Sequence, residues 1–419
     1  MKLPRFAITA LLLFCGAESV RAQIFLIEAR RVYPVSGKPL EDGKIVVQGG
    51  KITEVGVEVS VDSSSPGVTH LVVDGSVVPG FIDCGSSLGV FGSSADEFRE
   101  LSPEIRVLDA VDFDQSTFER AFLAGVTAVA VSPGARNVVG GVGTVLRTGP
   151  PPSEHADRIL KRDAFLDVSL GIEASSGNRS LRFRRPSSYF FRLPNTRMGT
   201  VFLLRRAFME ALDHLSPLDA TATREFRTML VPEGKRILRA ALTGKLPLRV
   251  HADHHQEVAT ALRLMEEFGT RIHIVGAAEA LPVISRIADS GASVLIYPGT
   301  NFRESSVEHH PEYTARLPHL LAKRGVPFGF FSKRGAEVGL LRSRVALSLR
   351  FGLREEEALE ALTLGAAKLL GVDDRVGSIE PGKDADLVAF SGDPLDITAR
   401  VLWVMSEGHT TANTMERKF

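Results

Sequence analysis

The sequence predicts an α/β protein in which a long central run of alternating strands and helices is flanked by β-structure at both ends. Three observations carry this. Residues 24–78 read as strands, with Phe25-Leu26-Ile27 and Lys44-Ile45-Val46-Val47 rich in β-formers and Gly49-Gly50 marking a turn. Beyond Val77-Val78-Pro79-Gly80, helical periods alternate with short apolar strands, the pattern of βα units. Strands then return at Asp386–Phe390 and Val401–Val404, so the two β-rich ends can share one sheet.

The first 22 residues stand apart from the fold. Lys2 and Arg5 give a positive start, Phe6–Cys15 is an apolar run too short to span a bilayer, and Val20-Arg21-Ala22 suits a signal peptidase. These features predict export to a periplasm or the extracellular space, with cleavage after Ala22; a retained membrane anchor is the competing reading. Removing residues 1–22 leaves 47 basic against 49 acidic residues and one thiol, Cys84. A single thiol cannot form an internal disulfide, so stability must come from the core. No later stretch reaches the ~18 apolar residues of a membrane helix.

Within the central region, Pro247–Val250 reads as a strand. Val258, Ala261, Leu262, Met265 and Phe268 follow at helical spacing, Gly269 caps that helix, and Arg271–Val275 is the next strand. Thr117–Ala124 with Val126–Val131, and a helix ending near Arg324-Gly325 followed by Val326–Phe331, repeat the unit. Arg354–Leu370 is expected to be one long scaffold helix. The segment from Gly177 to Pro194 carries Arg179, Arg182, Arg184, Arg185 and Arg192 among aromatic neighbours. It suits either a solvated loop over the mouth of the fold or an anion-contacting lid.

The whole chain has 419 residues, with 50 Lys and Arg against 50 Asp and Glu. That balance gives no positive field to recruit nucleic acid. No glycine-rich loop ends in Gly-Lys-Ser/Thr, so no nucleotide cradle is expected.

Several ordered segments resemble one family. Val78-Pro79-Gly80-Phe81-Ile82-Asp83 resembles the first barrel strand of the amidohydrolase superfamily. Gly377–Val388, with Glu380-Pro381-Gly382-Lys383-Asp384-Ala385-Asp386 inside it, resembles that family's return into its β-sandwich, and Thr363–Lys368 the helix before it. Gly125-Val126-Thr127, Pro133-Gly134 through Gly140-Gly141, Thr196-Arg197-Met198 and Arg249-Val250-His251-Ala252 are similar to exported members of its imidazolonepropionase-like branch. The resemblance covers essentially all of the mature chain. It implies a distorted TIM (β/α)8 barrel over residues 79–372, with a small β-sandwich formed from residues 23–78 and 373–419.

The resemblance also implies a chemistry: hydrolysis of C–N bonds in cyclic amides, dipeptides and similar compounds, by one or two divalent metals at the strand ends. The family's ligands are His-x-His after strand one, a His after strand five, a His after strand six and an Asp after the last strand. Carried over, the first pair falls on Gly85 and Ser87, the strand-five His on His251, the strand-six His on Gly276 and the Asp on Lys333. Only His251 remains a ligand, and a zinc site takes at least three. Lys333 brings an ammonium to a place meant for cations; at ~4 Å two like charges repel by about 4 kcal/mol even at an effective dielectric near 20. A bridging residue on strand four is sought near Asp167 and Glu173.

Other groupings compete. Asp253 and His255 near His251 suit a relocated metal site, or His254 and His255 are solvated at the start of a helix. Cys84 with His251 would make a metal-free nucleophilic pair, or Cys84 is a small buried thiol facing away from the ligand positions. Lys333 could serve as a Schiff-base lysine if its pocket is dry. His309-His310 belong to an exposed loop. The glycine-rich turn from Asn137 to Gly141 resembles a substrate-side loop of the family. The expectation is an exported member of the family without its metal site, no cofactor, and a small, anionic ligand held at the barrel mouth near Lys333, Ser87 and Asn137. The alternative is C–N hydrolysis through His251, Asp253 and Cys84, with zinc or another divalent ion if the ligand positions are shifted. No nucleic acid and no membrane span after cleavage are expected, and a homo-oligomer is compatible with both.

Overall fold

The computed structural model describes residues 23–97, 99–150, 155–175, 178, 193–213, 232–298 and 311–410. Residues 1–22, read above as an export signal, the five arginines between residues 179 and 192, and His309-His310 lie outside the described residues.

Both chain ends enter one seven-stranded sheet. It takes β1 (Ile24–Val32), β2 (Leu40–Gln48), β3 (Lys51–Gly56) and β4 (Val68–Pro79) from the start of the chain, and β13 (Leu387–Phe390), β14 (Val401–Ser406) and β15 (His409–Thr410) from its end. The order is β15-β14-β13-β4-β1-β2-β3. The sheet curls so that the start of β3 meets the segment leading into β13. Ala385 N donates to Gly50 O at 2.8 Å, and Ile52 shares one buried cluster with Trp403 and Met405. A curled sheet encloses a core of its own and leaves a short exposed edge.

The second sheet has eight strands in sequence order: β5 (Phe81–Ser86), β6 (Val126–Val131), β7 (Val139–Arg147), β8 (Ile159–Ser169), β9 (Leu248–Ala252), β10 (Ile272–Gly276), β11 (Ser293–Ile296) and β12 (Phe328–Phe330). All neighbours pair in parallel except β7, which is antiparallel to both β6 and β8. This reversed third strand is the barrel's distortion. The last strand returns beside the first: Lys333 N donates to Gly85 O at 3.0 Å, and Asp83 Oδ1 accepts from Gly85 N at 2.9 Å and Ser332 N at 3.0 Å.

Strand alternation separates two apolar sets. Phe81, Val129, Leu166, Val250, Ile274, Ile296 and Phe330 face outward into a cluster with helical residues such as Phe118, Phe208, Leu262 and Leu321. Ile82, Cys84, Ala130, Val145, Phe165, Val275, Leu295 and Phe331 face inward. The helices supplying the outer layer are α1 (Ser116–Leu123), α2 (Arg197–Asp213), α3 (Glu233–Leu242), α4 (His255–Phe268), α5 (Ile284–Ser290), α6 (Pro311–Lys323) and α7 (Leu341–Leu349). Gly269 closes α4 in the left-handed conformation at φ 62°, as its position after the periodic run requires.

The expected long helix over residues 354–370 is two helices, α8 (Glu355–Leu362) and α9 (Leu364–Leu370). Thr363 breaks it at φ −132°, ψ −100°. Its hydroxyl bonds back to Leu359 O at 2.6 Å, the local competition that disfavours Thr inside helices. No helix among the described residues is long and apolar enough to cross a membrane.

Barrel and curled sheet are joined by a buried ionic network. Arg147, 3% exposed, ion-pairs with Asp384 and Asp386 and reaches Glu407 at 3.3 Å. Arg375 meets Asp384 at 2.9 Å and Glu407 at 3.2 Å, and Lys51 meets Asp384 at 2.6 Å.

Candidate functional site at the barrel mouth

The ends of the parallel barrel strands carry the sequence-predicted positions. His251 lies on β9, and Gly276 ends β10. Gly85 is on β5, with Ser87 just beyond it, and Lys333 follows β12 on the strand that closes the barrel.

His251 is partly exposed, and its Nε2 faces Asp167 Oδ1 at 3.5 Å. Asp167 sits on β8 in register with Arg249, and Ser169 in register with His251. Asp167 lies on the barrel's fourth strand and Glu173 beyond its end. Neither oxygen of Asp167 accepts a hydrogen bond, and Ser169 Oγ and His251 Nε2 are likewise buried without one.

Gly276 has φ 103°, and a Cβ there would stand 2.1 Å from Asp253 Oδ1. The Asp253 carboxylate thus fills the space in which a strand-six histidine would begin. Burial pushes the Asp253 carboxyl up, with Glu173 adding to the rise and Lys333 opposing it. Lys333 is exposed at the rim and holds a left-handed backbone, φ 69°. Gly85 leaves room for a Cβ, 3.4 Å from Phe331 Cβ.

His254 and His255 converge elsewhere. Their Nδ1 atoms lie 3.1 and 3.4 Å from Glu279 Oε2. Glu257 accepts from the backbone of Asp253 at 3.1 Å and of His254 at 3.2 Å, capping α4. Histidine and carboxylate here serve a helix start. Ser87 Oγ accepts from Gly335 N at 3.4 Å, and buried Asn137 donates to Asp96 O at 2.8 Å and to Ser102 Oγ at 3.5 Å. Both brace loops of the mouth.

Cys84 belongs to the inward-facing cluster with Ile82, two residues before it on β5. Its Sγ packs on Gly329, and burial pushes the thiol up to about 12. At neutral pH such a sulfur is a thiol, not the nucleophilic thiolate. Burial likewise pushes Asp83 up to about 7, against its hydrogen bonds from Ser332 and Gly85.

A divalent ion needs at least three protein donors. Of the five transferred positions, only His251 has a ligating side chain, and among the described residues no group of three His, Cys, Asp or Glu is arranged to hold a metal. These residues do not fit the family's metal centre.

One buried cation was not singled out from the sequence. Arg249, two residues before His251 on the same strand, projects into the barrel. It is 2% exposed, with Cζ 3.3 Å from the centre of the Phe165 ring. Alternation from His251 was the available signal.

Comparison with known proteins agrees with this architecture. The sequence model of the amidohydrolase family matches residues 76–416. An imidazolonepropionase from Maricaulis maris is 26% identical over 390 residues, covering 87% of this chain and 92% of that protein. One from Symbiobacterium thermophilum is 24% identical over 398 residues, covering 85% and 87%. The crystal structure of an amidohydrolase from Thermotoga maritima superposes with a TM-score of 0.79 at 28% identity, covering 92% of this chain and 99% of that one.

Proposed function

The chain belongs to the amidohydrolase family, and from that premise we propose that it keeps the family's barrel without its metal-dependent hydrolysis and binds a small anionic molecule at the barrel mouth. The observation that carries this reading is the Asp253 carboxylate lying where a Cβ at Gly276 would stand. Loss of a ligand by drift would leave an open space; here a second side chain has taken it. The Lys333 ammonium at the rim supplies the charge that favours a carboxylate over a neutral ligand. The protein is exported and cleaved after Ala22, so the working form is residues 23–419.

A thermal-shift panel of small mono- and dicarboxylates tests the ligand class. Stabilisation by at least one acid, lost in Lys333→Met, is expected. No shift with any acid, or the same shift in Lys333→Met, removes the anionic-ligand reading.

A second reading, C–N hydrolysis without a metal, is favoured by the 3.5 Å approach of His251 to Asp167, a geometry in which imidazole can take a proton from water. Turnover of cyclic amides or dipeptides by metal-free protein, abolished in His251→Gln, would establish it. Equal residual rates in the two proteins would remove it.

A further inference from the structure

The barrel centre holds a cation of its own. Arg249 is buried, stacked on Phe165 at 3.3 Å, and bound by Nη1 to Ser132 Oγ at only 3.4 Å; its Nη2 has no hydrogen-bond partner. Asp167 is its register neighbour on β8, and Asp167, Cys84 and Asp83 all lie within its electrostatic reach. Both carboxylate oxygens of Asp167 are buried without a donor. A buried carboxylate with neither donor nor counter-charge is strongly destabilising. His251 Nε2 stands 3.5 Å from Asp167 Oδ1, and Arg249, in register with Asp167 on the next strand, is the permanently charged buried cation beside it.

We propose that the Arg249 guanidinium is the fixed cation of this barrel, supplying from within the chain the positive charge that a divalent ion supplies in a metal-bearing barrel, with Asp167 as its counter-ion. The proposal rests on the reading above that no metal is held. It adds to that reading that the metal's charge has been replaced instead of simply lost. An arginine suits the role because its charge is permanent and its planar face can lie on an aromatic ring while the edge meets polar groups.

The test is a double-mutant cycle on residues 23–419 with Arg249→Met, Asp167→Asn and the pair together, read as Tm, with Arg249→Lys as a fourth protein. Each of the first two singles leaves one buried charge uncompensated and is expected to lower Tm by roughly 5 °C. The double variant removes both charges, so its Tm should lie at or above that of Arg249→Met alone. Arg249→Lys should recover at least half of the loss, and it keeps the test decisive if Arg249→Met fails to fold. Additive losses in the double variant, or an Arg249→Lys protein as unstable as Arg249→Met, would overturn the proposal. A divalent ion bound by the wild-type protein would instead overturn the metal-free reading, so the two failures are distinguishable.

Discussion

Replacing Gly276 by Ala probes the rebuilt strand-six end most sharply. Gly276 sits at φ 103°, where an L side chain is strained by roughly 1–3 kcal/mol. The new Cβ would lie 2.1 Å from Asp253 Oδ1 and 2.9 Å from its Cγ, so the carboxylate must move by about the ångström separating that gap from ordinary contact. Moving it forfeits the backbone hydrogen bond that it accepts at Ala278, worth about 1.5–3 kcal/mol for a charged acceptor. Lower unfolded-state entropy returns about 0.4–1 kcal/mol. The net expectation is a destabilisation of about 3 kcal/mol, measured by urea unfolding at pH 7. In an Asp253→Ala background the clash is gone and only the backbone strain remains, so the same substitution should be about 2 kcal/mol milder. A neutral Gly276→Ala, or an effect identical in both backgrounds, would refute the idea that Asp253 has occupied the histidine's space.

Three further outcomes follow from the same geometry. Arg147→Met leaves buried Asp386 without its cation, while Asp384 keeps Lys51 and Arg375, and should destabilise the protein by about 3–5 kcal/mol in urea unfolding, whereas half-exposed Arg31→Met should change it by less than about 1 kcal/mol. Burial, with Arg249 adding to it, holds His273 down at about 4, so the folded state binds fewer protons than the unfolded one between that pH and the ordinary value of 6.5. Its contribution is thus complete above pH 6.5 and is lost as the pH falls towards 4, a change of roughly 3 kcal/mol. Asp83, raised to about 7, acts in the opposite sense, so the readout is the difference in Tm between wild type and His273→Gln, which should shrink by several degrees on acidification from pH 7 to 4.5. The Cys84 thiol, the single thiol of residues 23–419, should resist alkylation in the native protein and react only in urea, as mass spectrometry of iodoacetamide-treated samples would record; rapid native labelling would contradict its burial.

Much of the architecture was legible in the sequence because burial periodicity is a local property. The strands around residues 25, 45, 126 and 272, the helix closed by Gly269, and the sharing of one sheet by both chain ends all follow from alternation, helical spacing and turn residues. Two features were not. Thr363 breaks a helix through a hydroxyl bond to Leu359 that composition alone does not announce. The reversed β7 is a pairing choice made between strands, invisible within either one. At the site, the substituted ligand positions could be read directly from residue identities. What replaced them could not: Asp253 reaches Gly276 across neighbouring strand ends, and Arg249 reaches Phe165 through the barrel interior.

The most direct test of the account is the metal content of purified residues 23–419, measured by elemental mass spectrometry after dialysis against Zn²⁺ and Mn²⁺ and then against metal-free buffer. Near-zero metal per chain is predicted, because one histidine and one carboxylate facing Arg249 do not make a divalent site. One or two tightly held ions per chain would contradict it.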